Sequence, residues 1–185
     1  MKLDYEDLLK HFRMAASHVP KEYFQLPVMG VEEPIYRERV YCYELYHHLR
    51  KAWPQSLALY SLSGEIDKRG HPLIRGNHLD ATKPDMLVHI PGEMDRNLSA
   101  IEVKPVTASV SDILADLEKL TAYCRIGRYH GGIMLVYGSS SGSDWETIDS
   151  FERVALDSPG LMLDKITILR HVSPLRLPVV IKRFL

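Results

Sequence analysis

The sequence predicts an α/β protein in which helices flank a central mixed β-sheet. Two amphipathic segments with helical spacing occupy much of the first third of the chain, and short apolar strands joined by a turn follow. A strand–helix–strand succession comes after them. Strands joined by a hairpin are antiparallel, whereas a helical crossover makes neighbouring strands parallel, so the sheet is expected to contain both orientations.

The length and the charge set the broad class of protein. The chain has 185 residues, which suits one domain with its own hydrophobic core, and we predict a single domain over 1–185. The formal net charge of −1 excludes a uniformly basic coat for nucleic acid. A local basic patch is still compatible with that charge.

The first elements follow from hydrophobic spacing and from proline. Leu8, Leu9, Phe12 and Ala16 predict a helix over 3–17. The later elements are predicted in this order: a helix beginning near Pro34 and stopping before Pro54, a strand over 57–66, two strands separated by a turn over 91–97, a helix over 110–125, a buried strand over 131–138, a helix opened by a capping box of Ser143 and Glu146, and a strand over 165–172.

The cysteines and the N-terminus indicate a cytoplasmic protein. Cys42 and Cys124 belong to no CxxC pair and lie in apolar surroundings, which is typical of buried free thiols in a reducing compartment. The first ten residues, MKLDYEDLLK, lack the apolar centre of a signal peptide. No run of about 18 apolar residues is available to span a membrane, so no membrane partner is expected.

The most informative stretch is KPDMLVHIPGEMDRNLSAIEVKP, residues 83–105, which places charges on otherwise apolar strands. Side chains alternate along a strand, so Glu102 and Lys104 share a face. If His89 pairs with Leu98 across the hairpin, Asp85 falls opposite Glu102, and their Cβ atoms lie about 5 Å apart. Two carboxylates at that separation repel each other unless a cation sits between them.

These groups predict a site for a hard metal ion. The carboxylates of Asp85 and Glu102 and the backbone carbonyl of Val103 are oxygen donors of the kind that Mg²⁺ prefers, and Mn²⁺ is an expected substitute. Lys104 lies within reach of the same position, where it would favour hydrolysis of a phosphodiester. Alternatively, each charge belongs to a solvated strand end with a weak ion pair.

The second predicted helix supplies a fourth acidic group. Glu38 falls on the same helical face as Ile35, Cys42, Leu45, Leu49 and Trp53, where a carboxylate is costly unless it is paired or bound to metal. Glu44 falls on the opposite face, and Glu65 ends the strand that precedes the charged stretch. We keep Glu44 and Glu65 as accessory candidates.

Other patterns are weaker. The histidines form no spacing typical of a zinc site, and the serine-rich segment after residue 138 lacks the phosphate-binding loop pattern. A locally basic loop precedes Asp85, and we interpret it equally as a solvated loop or as an edge that contacts phosphates. Its cations and histidines are Lys68, Arg69, Arg75, Lys83, His71 and His78.

The pattern of Glu38, then Pro84–Asp85, then Glu102–Val103–Lys104 resembles the PD-(D/E)xK nuclease superfamily, also called restriction-endonuclease-like. The resemblance covers about residues 35–138. It implies a core of one helix, three antiparallel strands, a second helix and a parallel strand. It also implies that Asp85 and Glu102 ligate Mg²⁺ and that Lys104 assists the attacking water. Glu38 would then complete the site or hold a second metal.

The resulting expectation is a Mg²⁺-dependent nuclease whose partner is nucleic acid, with DNA favoured over RNA, and a homodimer is left open. A different class of function is a catalytically silent domain of the same fold that binds nucleic acid or a protein. The complete set of Asp85, Glu102 and Lys104 argues against the silent domain. A small-molecule enzyme on another α/β scaffold has no cofactor motif to support it.

Overall fold

A computed structural model gives the structure of residues 1–66, 76, 79–80, 82–138 and 158–183. For residues 182 and 183 it describes the backbone but not the side chains. Two predictions lie outside these described residues. One is the helix with the Ser143–Glu146 capping box. The other is most of the basic loop, namely Lys68, Arg69, Arg75, His71 and His78.

The described residues form helices on both faces of one mixed sheet, which confirms the predicted α/β class. The helices are α1 Lys2–Ala16, α2 Lys21–Phe24, α3 Glu38–Lys51 and α4 Val110–Arg125. The strands are β1 Ser61–Gly64, β2 Met86–His89, β3 Asn97–Pro105, β4 Tyr129–Tyr137, β5 Ile166–His171 and β6 Val179–Arg183. The six strands lie in chain order across the sheet. Strands β3, β4 and β5 run parallel, and the other neighbouring pairs are antiparallel.

The two faces of the sheet bury different helices. On one face, α1 and α3 contribute Leu8, Phe12 and Leu45 to a core that contains Ile101 and Val103 of β3. On the other face, α4 packs against Ala100 and against Met134 and Val136 of β4. Each fully buried aliphatic side chain stabilises the fold by about 1.5–3 kcal/mol. Strand β3 is therefore covered on both faces along its length, up to Val103.

The predicted start of the second helix was wrong. Helix α3 begins at Glu38 and not near Pro34. Leu26 and Ile35 exchange two backbone hydrogen bonds, of 2.8 and 3.0 Å, in an isolated β-bridge. This contact between distant residues keeps the chain at Ile35 extended, so the proline next to it does not open a helix.

Other boundaries also differ. Strand β1 is shorter than predicted, because Gln55–Leu57 form a 3₁₀ turn before it. Helix α2 and strand β6 were not predicted, since four and five residues are too few to show a clear periodicity.

The hairpin of β2 and β3 keeps the predicted register only near the charged end. Met86 pairs with Ile101, and the next two pairs follow the same register. His89, however, pairs with Asn97 and not with Leu98, because the register shifts between Val88 and His89. This bulge leaves Leu98 as an extra residue, and its side chain packs in the core with Ile101 instead of sharing a face with Ala100.

Two further observations bear on expectations about compartment and membrane. Cys42 and Cys124 are free and buried, as predicted. Over the described ranges, no helix combines the length and the apolar character needed to cross a membrane.

Candidate active site

The four residues predicted for the site line one cavity of about 640 Å³. Glu38 lies in the first turn of α3, and Asp85 is the residue just before β2. Glu102 and Lys104 belong to β3. The sheet brings Asp85 to β3 because the next residue, Met86, pairs with Ile101 of that strand. The predicted convergence of these side chains in one cleft is therefore present.

Asp85 is tied to the neighbouring strand by its carboxylate. Its Oδ2 accepts a hydrogen bond of 2.7 Å from the backbone N–H of Val103. Burial raises the pKa of Asp85 to about 6, the bond from Val103 opposes that shift, and the negative charge of Glu38 adds to it. The carboxylate is thus oriented by the backbone but unfavourably charged in its surroundings.

Glu102 is the most deeply buried of these acids, with 1% of its surface exposed. Its Oε1 lies 2.9 Å from Nζ of Lys119. Burial raises the pKa of Glu102 well above its usual value, and the nearby carboxylates of Asp116 and Asp85 raise it further, while Lys119 lowers it. A charged Glu102 therefore depends on a neighbouring cation.

Lys104 lies between two carboxylates. Its Nζ is 2.9 Å from Oε2 of Glu38 and 3.1 Å from Oδ2 of Asp116. Burial lowers the pKa of Lys104, but the hydrogen bond to Glu38 and the charge of Asp116 outweigh burial and raise the pKa above its usual value. At neutral pH the side chain is therefore an ammonium group.

Asp116 and Lys119 of α4 complete the cluster, and the sequence interpretation missed both. They form an ion pair of 3.0 Å one turn apart on the helix. Asp116 is buried between Ile113 and Leu120, on the apolar face that predicted the helix. A carboxylate on that face was a usable signal, and it is the same signal that identified Glu38.

The cluster carries more negative than positive charge. It contains the four carboxylates of Glu38, Asp85, Glu102 and Asp116, and two ammonium groups balance only half of their charge. Excess charge in a partly desolvated site is costly, and it favours either protonation or a bound cation. Burial is the main cause of the raised pKa values of Asp85 and Glu102, and the neighbouring carboxylates add to it.

The donor chemistry of this cluster fits Mg²⁺. Every anionic group is a carboxylate, and Mg²⁺ is usually bound through only one or two carboxylates, with water and substrate oxygens as the remaining ligands. Among the described side chains, no group of three or more His, Cys, Asp or Glu is arranged to hold a metal ion. Asp85 and Glu102 would thus be the two protein carboxylates, and Glu102 would have to exchange its contact with Lys119.

The accessory candidates take different places. Glu65 lines the cavity at its exposed rim, where its Oε1 lies 3.3 Å from Nε of Arg39, and its φ of 44° is unusual for a residue with a side chain. Glu44 is not among the residues that line the cavity, and it pairs with His48 at 3.1 Å. The structure therefore joins Glu65, but not Glu44, to the site.

Comparisons with known proteins add no assignment. Neither a protein-family model nor a curated protein sequence matches the chain.

Proposed function

We propose that the protein is a Mg²⁺-dependent nuclease of the PD-(D/E)xK type, with a restriction-endonuclease-like core and with DNA favoured over RNA as substrate. The observation that carries the proposal is that Glu38, Asp85, Glu102 and Lys104 line one cavity. The order of α3, antiparallel β1 to β3, α4 and parallel β4 also supports it, because the resemblance implies that succession.

In this proposal the residues that line the cavity have different roles, which follow from their charge and position. Asp85 and Glu102 would hold the metal, and the N–H of Val103 keeps the Asp85 carboxylate in one orientation. A bound Mg²⁺ supplies a water of lowered pKa and stabilises negative charge on the phosphate. Lys104 stays protonated and would add a second positive charge beside the scissile phosphate.

Glu38 acts mainly through Lys104 in this proposal. Its carboxylate holds the ammonium group at 2.9 Å and so fixes where that charge lies in the cavity. Glu38 has 34% of its side chain exposed, which also leaves it accessible to a second metal ion, the other role that the resemblance implies.

One observation favours the catalytically silent alternative. Lys104 and Lys119 already contact three of the four carboxylates, so the cluster can be stable without metal. In that case the cavity would be a binding surface on a nuclease-like fold, and the ion pairs would be structural.

Metal binding and cleavage separate these functions. Calorimetry with Mg²⁺ and Mn²⁺ should show binding by the wild type, and Asp85→Asn and Glu102→Gln should each weaken it on the order of tenfold or more. The same variants should lose cleavage of DNA by a factor on the order of 10² or more. Glu44→Gln is the matched control, because it neutralises an α3 carboxylate outside the cavity. A wild type that binds neither ion and cleaves none of a panel of DNA and RNA substrates would refute the nuclease proposal.

A further inference from the structure

The rim of the cavity carries an aromatic side chain that the core does not use. Tyr43 lines the cavity from α3 and is 62% exposed. Its neighbours on the helix differ, since Tyr41 is fully buried and the hydroxyl of Tyr46 donates a hydrogen bond of 3.2 Å to the carbonyl of Leu62. Exposed tyrosine rings at the mouth of a charged cavity are suited to stacking on flat ligands.

Two cations lie on the same rim. Arg39 is one helical turn before Tyr43, and 70% of its side chain is exposed. Its partner Glu65 has 46% of its side chain exposed, and such surface ion pairs are weak, so Arg39 can exchange Glu65 for a phosphate. Lys83 is exposed just before Pro84 and also lines the cavity. The rim therefore combines an aromatic face with groups that bind phosphates.

Glu102 and Lys104 lie deeper than this rim. Glu102 is 1% exposed, and the side chain of Lys104 is 17% exposed. A phosphate must therefore enter the cavity to reach them. Duplex DNA is stiff over about 150 base pairs and keeps its base faces stacked inside the helix. An unpaired strand bends easily and exposes base faces to aromatic side chains.

We propose that the cavity takes single-stranded or locally unpaired nucleic acid, with a base stacked on Tyr43 and the adjoining phosphates on Arg39 and Lys83. The inference rests on the proposed function, because it names the substrate class of the same site. A cavity of about 640 Å³ is of a size that commonly holds a nucleotide-sized ligand. In this proposal the nucleic-acid strand lies along α3, and one of its phosphates reaches into the cavity toward Asp85 and Glu102.

Binding measured in EDTA tests this inference apart from cleavage. The probes are a fluorescein-labelled single strand of about 12 nucleotides, within the range of known single-strand sites, and a blunt duplex of the same sequence. Fluorescence anisotropy should give at least about tenfold tighter binding of the single strand. Tyr43→Ala should weaken that binding by about 10- to 100-fold, as expected for the loss of one stacked base. A 2-aminopurine base in the strand should lose its quenching on the same substitution.

Matched variants separate stacking from general effects. Tyr43→Phe keeps the ring and should bind within about twofold of the wild type, and so should Tyr23→Ala, which removes an exposed tyrosine of α2 outside the cavity. Arg39→Ala should reduce the slope of log affinity against log salt by about 0.7, the value for one phosphate of a single strand. Arg96→Ala, which removes another exposed ion-paired arginine, should leave that slope unchanged.

The outcomes distinguish the two proposals. Equal binding of single strand and duplex, or no effect of Tyr43→Ala, overturns this inference even if the protein cleaves duplex DNA with Mg²⁺. Tyr43-dependent binding of the single strand without any cleavage refutes the nuclease and leaves this inference standing. If the wild type binds neither probe, this inference fails, and the metal-binding and cleavage assays decide the nuclease proposal separately.

Discussion

Replacing Lys104 with methionine tests the central ion pairs of the site. Methionine keeps most of the apolar volume of lysine but removes the charge that lies 2.9 Å from Glu38 and 3.1 Å from Asp116. A lysine at the end of a strand usually has a solvated head, and its replacement would then change folding little. The structure corrects that premise, because only 17% of the side chain is exposed.

The expected loss of stability can be estimated from the partners that remain. Removing one member of a fully buried pair costs about 3–5 kcal/mol. Here Asp116 keeps its ion pair of 3.0 Å with Lys119, and Glu38 is partly exposed to water. We therefore expect Lys104→Met to lower the free energy of unfolding by about 1–3 kcal/mol at pH 7. Lys51→Met removes an exposed lysine of α3 and should stay within about 0.5 kcal/mol of the wild type.

Urea unfolding and cleavage assays on the same preparations measure both consequences. Cleavage of DNA by folded Lys104→Met should fall by a factor on the order of 10² to 10³, and binding of Mn²⁺ should persist because Asp85 and Glu102 remain. Lys104→Arg, which keeps the charge, should recover most of the stability. Equal cleavage by the wild type and by Lys104→Met would show that Lys104 has no part in the reaction. An unchanged free energy of unfolding would show that its ion pairs contribute nothing.

The remaining predictions concern the other members of the cluster and one core contact. Burial raises the pKa of Asp85 to about 6, so the folded state binds more protons than the unfolded state between about pH 4 and pH 6, and stability without metal should fall as pH rises through that window. Asp85→Asn should reduce this fall in urea unfolding measured at several pH values, and an unchanged profile would contradict the assignment. Lys119→Met should lower the free energy of unfolding at pH 7 by about 3 kcal/mol, since Glu102 loses its cation. The same substitution should tighten Mn²⁺ binding in calorimetry, because Lys119 no longer competes with the metal for Glu102. Weaker Mn²⁺ binding would mean that Lys119 supports the metal site. Gly131→Ala should destabilise the fold by about 1–3 kcal/mol without changing Mn²⁺ affinity, because the added Cβ would lie 2.8 Å from the ring of Tyr5; a neutral result in urea unfolding would show that the ring moves freely.

The sequence predicted elements well where local signals were complete. Helix α4 matches the expected 110–125 because its apolar spacing is regular and its N-terminus is capped, with Oγ of Ser109 accepting a 3.1 Å hydrogen bond from the N–H of Asp112. The start of α3 could not be predicted in this way. It is determined by the bridge between Leu26 and Ile35, a contact between residues that no periodicity connects.

The placement of Asp85 against β3 was predicted by a register that failed at the other end of the hairpin. The bulge lies between Val88 and His89, toward the turn, and the pairs from Met86 to Val88 precede it. A bulge shifts only the residues beyond it, so the pairing nearest Asp85 kept its alignment. Alternation alone shows no sign of an extra residue, which is why His89 was predicted to pair with Leu98 and not with Asn97.

The missed residues show what a search for apolar stripes leaves out. Glu38 was identified because a carboxylate on an apolar helical face needs a cation, and the same reasoning applied to α4 would have found Asp116. The two acids meet at Lys104, so helices on opposite faces of the sheet are joined through one side chain of β3. Because Lys104 contacts acids of both helices and belongs to the strand that carries Glu102, a change in its charge should affect both helices and the acidic cluster together. This is the physical reason that stability and metal binding should be measured on the same variants, since a loss of activity alone would not separate the proposed catalytic role of Lys104 from its structural one.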